Sequence, residues 1–245
     1  LDDEQRAEIS DGMNQLAEES RAGQQGGWSF GEMIERQDVT GRSAETNHVA
    51  YNAGAVAFRF VLFSCMQGAV TLTEERTTGI QERIMAGPGG MAVLVNGKFL
   101  FLIVQGFLQM GLIFVTAWLV YGVNLPAHLD AWLVITLVAC SAAAGLSLMV
   151  SAACRTPAQA RNAWTVIVLI ISVIGGSMVP RFFMPLWLRE LGWFTPNTWV
   201  LEAYSAVFWR DAMLSEVWLP LALLAGTGVF SLLAAQWFAA QRARI

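Results

Sequence analysis

Charge is scarce in this chain: Asp, Glu, Lys and Arg make up 14% of its 245 residues, against roughly a quarter in an ordinary soluble domain. With 55% hydrophobic residues and a mean hydropathy of +0.49, the sequence reads as a membrane protein. Histidine is nearly absent too, and both His48 and His128 fall outside the apolar segments, none of which contains an aspartate. Gly145-Leu146-Ser147 faintly resembles a serine-nucleophile turn, but no base lies within its reach and no aspartyl pair is available, so an intramembrane enzyme lacks its chemistry. Three cysteines, Cys65, Cys140 and Cys154, stand in apolar runs without the paired spacing of a metal site or a disulfide framework, and they read as buried thiols. A G-x-x-x-x-G-K-[ST] phosphate loop is missing as well. The GPGG run at Gly87 to Gly90 is a turn signal, so no nucleotide or other cofactor is expected on this chain by that route.

What charge there is lies unevenly. Eleven of the nineteen acids precede residue 50, and the rest of the chain is slightly basic. Residues 1–48 read as water-soluble, with a sparse helical stripe of Ile9, Met13 and Leu16 ended by Gly23 to Gly27. They open on Leu1, without an initiating Met or a signal peptide, and are expected to be the C-terminal remnant of a soluble domain in a longer protein. From residue 49 onward the expected fold is an all-α membrane bundle. Five segments, at about 51–72, 99–121, 131–153, 162–179 and 216–238, hold enough apolar residues to cross a hydrocarbon layer.

Lys and Arg near span ends favour the cytoplasm. Arg76, Arg83, Lys98, Arg155, Arg161, Arg242 and Arg244 share one side if residues 1–48 lie on the other, so the first segment is expected outside and the C-terminus inside. Aromatics are expected in two headgroup belts, Trp118, Tyr121, Trp132, Trp187, Trp193, Trp199, Trp209 and Trp218 at the outer one, Trp164 and Trp237 at the inner. Residues 180–215 are too interrupted by Pro180, Pro185 and Pro196 to span and too aromatic for a solvated loop. They are expected to form short helices that dip into the outer face and return, a sixth span over 197–215 being disfavoured by Arg210 and Asp211.

Inside the spans, Arg59 is the costly residue. It has three readings: snorkelling to headgroups, pairing with Glu202 of the re-entrant segment, or lining a substrate route. Gln105 and Gln109, one turn apart around Gly106, are expected to hydrogen-bond between helices, with a polar pathway as the alternative. The small-residue run from Ser141 to Ala153 reads as close helix packing.

Between the first two apolar segments lies TEERTTGIQERIMAGPGG, a mixed-charge stretch that reads as an interfacial helix over about 74–86 ended by Pro88 and its glycines. Glu75, Gly79, Arg83 and Pro88, with the downstream Gly97-Lys98 pair, resemble the signature of membrane subunits of type-2 ABC exporters. The span exit from Gly175 to Pro180 and the run MPLWLRELGWFTPNTWVLEAY are similar to that family's outer re-entrant pair, and the resemblance covers residues 49–245.

It implies a permease of the bacterial cytoplasmic membrane, six-spanned at full length, in contact with membrane lipid and not with nucleic acid. Its partners would be a second permease, identical or not, and a cytoplasmic ABC ATPase that holds the ATP and Mg. The helix carrying Glu74, Glu75, Arg76, Gly79, Glu82, Arg83 and Pro88 would then be the coupling helix. A channel or a membrane-anchored sensor, not driven by ATP, is the alternative.

Overall fold

The computed structural model describes residues 41–78, 90–179 and 181–242. The chain divides into two units, Leu1–Glu45 and Thr46–Ile245, and the helices below belong to the second, apart from the first five residues of the first helix. Among the expected features, the stripe of Ile9, Met13 and Leu16 and the residues Gly79, Glu82, Arg83 and Pro88 lie outside the described residues.

Seven α-helices make up the described chain: α1 (Gly41–Thr77), α2 (Gly90–Tyr121), α3 (Leu129–Ala153), α4 (Pro157–Ile174), α5 (Leu186–Gly192), α6 (Pro196–Arg210) and α7 (Trp218–Arg242). Short 3-10 turns at Pro126–His128, Arg181–Phe183 and Leu214–Val217 connect them, and no strand occurs among the described residues. Five stretches are long and apolar enough to span: Val49–Glu75, Gly90–Tyr121, Pro126–Ala153, Pro157–Ile174 and Leu214–Gln241. The protein is thus an all-α, multi-pass membrane bundle.

Local chemistry sets the boundaries. Helix α2 ends where Gly122 takes a left-handed conformation (φ 71) and returns its N–H to the Trp118 carbonyl at 3.1 Å. Helix α4 begins earlier than its apolar run, because Thr156 caps it, accepting the Gln159 N–H at 3.2 Å, and Pro157 takes the first helical position. The same Thr-Pro device starts α6 at Thr195 and Pro196. Helix α4 stops at Ile174, five residues short of the expected 179, where Gly175 and Gly176 turn the chain.

Helices α1 and α3 form the centre, and α2, α4 and α7 each bury a narrower stripe. On α1, Phe58, Val61, Leu62, Cys65, Ala69 and Leu72 recur at three- and four-residue spacing and are buried. Helix α2 turns Leu100, Val104, Leu108 and Leu112 outward, a face suited to hydrocarbon. The most extensive pairing joins α3 to α7, where a Cβ on Gly145 would stand 2.8 Å from the Gly228 carbonyl oxygen and 3.2 Å from Ser231. The small-residue run is therefore a close-packing surface, as expected.

Two expected belt residues are core residues instead. Trp164 is buried and donates its indole N–H to the Leu62 carbonyl at 2.8 Å. Trp132 is buried against Phe107 and Phe114, with ring centroids 5.5 and 5.8 Å away. Both point into helix interfaces, which span depth alone does not reveal. Trp118, Trp187, Trp193, Trp209, Trp218 and Trp237 remain exposed.

Candidate functional site

The ion pairs among the described residues gather at the two ends of the bundle. At one, the Lys98 end, α1 and α3 finish and α2 and α4 begin. Lys98 Nζ lies 2.8 Å from Glu75 Oε1 and donates to Thr71 Oγ1 at 2.6 Å, tying the start of α2 to the end of α1. With side-chain exposures of 14% and 26%, this pair is largely out of water, so removing one partner costs more than at a surface ion pair. Arg161 of α4 reaches Glu74 at 3.5 Å. Thr73 and Ser151 share a hydrogen bond at 3.0 Å, and Ser151 donates to the Ala69 carbonyl at 2.7 Å. Helix α1 is therefore linked here to α2, α3 and α4.

These contacts involve two of the residues expected in the coupling helix. Glu74 and Glu75 occupy the last turns of α1, which runs unbroken through the spanning segment to Thr77. The backbone of Arg76 belongs to that same turn. Mixed charge at 73–76 resembled a new interfacial element, but no proline or glycine interrupts the helix before residue 79, so it continues.

At the opposite, Glu202 end, the chain after α4 meets the short helices. Glu202 on α6 accepts from Arg210 Nη2 at 2.6 Å through Oε1 and faces Arg181 Nη1 at 3.6 Å through Oε2. Arg181 is half-wrapped by the Trp193 ring at 4.8 Å. Burial pushes its guanidinium pKa below the ordinary value, and Glu202 pulls it back up. Gly176, in a left-handed conformation (φ 93), brings its carbonyl to Tyr51 at 3.1 Å and packs under Arg181, where a Cβ would meet Cγ at 2.6 Å. Tyr204 and Thr136 share a buried hydrogen bond at 2.8 Å. His128 Nε2 lies 3.2 Å from Asp211 Oδ1, beside Phe208.

Glu202 thus meets Arg181 and Arg210, not Arg59. The half-buried Arg59 has its guanidinium 6.0 Å from the Phe60 ring. Gln105 donates to Ser64 Oγ at 2.5 Å, an interhelical bond between α2 and α1, while Gln109, one turn on, is half-buried with no such bond among the described residues. Sequence reasoning gave Arg181 no role and used Arg210 only to disfavour a sixth span. Arg210 carried a signal, since it follows Glu202 by two helical turns on one face of α6, whereas Arg181 lies on a separate element and carried none.

The described chain thus holds five stretches able to span, with two short helices, α5 and α6, before the last of them. A family model described as ABC-2 family transporter protein matches residues 32–237, and the chain belongs to this family. Linearmycin resistance permease protein LnrN of Bacillus subtilis (strain 168) is 24% identical over 188 residues, which is 75% of this chain and 48% of that protein. The chain spans about half the length of this curated relative. Family membership identifies a membrane subunit of a transporter.

Proposed function

We propose that this chain is the membrane part of an ATP-driven exporter in the bacterial cytoplasmic membrane. A separate ABC ATPase docks at the Lys98 end, and a second permease completes the route. ATP and Mg belong to the ATPase. The segment 79–89, with Gly79, Glu82, Arg83 and Pro88, is the contact for that subunit, so residues 1–48 lie outside and the C-terminus inside.

The observation that carries this reading is the convergence on the end of α1. In a chain of this family, the connection that follows Thr78 leaves from a helix tied to α2 by Glu75–Lys98 and to α4 by Glu74–Arg161. A push on that connection is shared among three helices at once. The cargo is apolar or amphipathic, consistent with the mainly apolar surfaces the helices offer.

Mild-detergent pull-down of the full-length protein from its native membrane, beside the Glu82→Ala, Arg83→Ala double variant, tests the proposal. A phosphate-loop ATPase should co-purify with the wild type and fall away from the variant. Equal recovery of the ATPase with both would remove the docking assignment, and its absence from both would remove the exporter reading.

A further inference from the structure

A cavity of about 430 Å³ lies between α1 and α2 at the Lys98 end. Gly68 and Thr71 line it from α1, and Val93, Gly97, Lys98 and Phe101 from α2. The space beside Gly97 is open, since a Cβ there would meet nothing within 4 Å. Its rim faces outward, with Val93 60% and Phe101 61% exposed, on two helices that both cross the membrane.

The lining is apolar except at one pole. There the Lys98 ammonium has three N–H bonds, of which Thr71 Oγ1 and Glu75 Oε1 take two. Among the described residues the third has no acceptor. A small soluble anion would gain that one bond and lose its hydration against Gly97, Val93 and Phe101. Hydrocarbon alone would fill the space, roughly a dozen water-sized groups, and leave the ammonium short of a partner. An amphiphile with an apolar chain and one oxyanion at its end satisfies both.

We propose that this cavity binds a glycerophospholipid of the adjoining leaflet, with an acyl chain along Gly97 and Phe101 and a phosphate oxygen accepting the third Lys98 N–H. Because Glu75 already offsets the lysine charge, the phosphate common to zwitterionic and anionic lipids is the recognised group. Lysine at this depth suits the assignment, its stem lying along apolar surface and its head at the level of phosphates. The site does not depend on an ATPase, so it stands or falls separately from the exporter reading.

The test is native mass spectrometry of the full chain in mild detergent, titrated with dioleoyl phosphatidylethanolamine and, in parallel, dioleoylglycerol, with no ATPase or cargo added. Wild type should bind one phospholipid that outlasts the others on dilution, and bind dioleoylglycerol at least about tenfold more weakly, the value of one charge-assisted hydrogen bond. Gly97→Leu, which grows into open space, should abolish that tight binding. Glu75→Gln with Lys98→Gln, which removes the ammonium without stranding a carboxylate, should weaken it by about tenfold. Should Gly97→Leu fail to fold, Val93→Trp at the exposed rim narrows the same cavity and should have the same effect. Retention of the tight phospholipid in the folded cavity-filling variant, or equal affinity for dioleoylglycerol, would overturn the proposal.

Discussion

The two ends of the bundle solve the problem of polar groups in a membrane differently. At the Lys98 end the bonds radiate from one long helix to three others, each through a separate contact: Glu75 to Lys98, Thr73 to Ser151, Glu74 to Arg161. At the Glu202 end they converge on one short helix, where a single carboxylate serves two guanidiniums and Phe114, Tyr204 and Phe208 pack ring against ring. Separate contacts can be exchanged one at a time. A shared carboxylate cannot be removed without releasing both cations, so α6 and the residues around Arg181 hold together as a block.

The comparison sharpens most at Glu202. Its replacement by Ala strands Arg181, whose side chain is only 14% exposed, and should cost about 2–3 kcal/mol in denaturant unfolding in detergent. A loss smaller than that from Glu75→Ala would reverse the ranking of the two ends. For Glu75→Ala we expect about 1–2 kcal/mol, since Lys98 keeps its bond to Thr71 and can reach water along its flexible stem. Loss of the Glu75 contact should leave the Thr73–Ser151 bond in place, which a double variant with Ser151→Ala checks by additivity. Smallest is Arg161→Ala, below about 0.5 kcal/mol, because both partners are about half exposed and 3.5 Å apart. A larger loss there would mean that the contact is coupled to the rest of the Lys98 end.

Spans and class were legible because they follow from run length and composition, which need no partner. The break-up of residues 181–215 into short helices was legible too, since Pro185 and Pro196 exclude one long span. Pairings were not. Pairing with Glu202 was one of three readings for Arg59, yet the chain brings Arg181 to that carboxylate across the turn at Gly175 and Gly176, a path no periodicity encodes. Trp164 and Trp132 were placed by depth, although rotation of each helix decides whether an indole meets lipid or a neighbour. The Thr-Pro starts of α4 and α6 were readable signals, and at α4 the onset of hydrophobicity masked one of them.

The bond from Trp164 to the Leu62 carbonyl sets how α1 can tilt. Leu62 sits near the middle of the stretch between Tyr51, which touches Gly176, and Glu75, which holds Lys98. At 1.5 Å per residue the two arms are each roughly 15–20 Å long. Surrounded by apolar groups, the indole has no water to exchange for its acceptor, which makes this point costly to release. Were α1 to pivot at this point, displacement of the Glu75 arm in one direction would swing the Tyr51 arm the opposite way, by nearly the same amount.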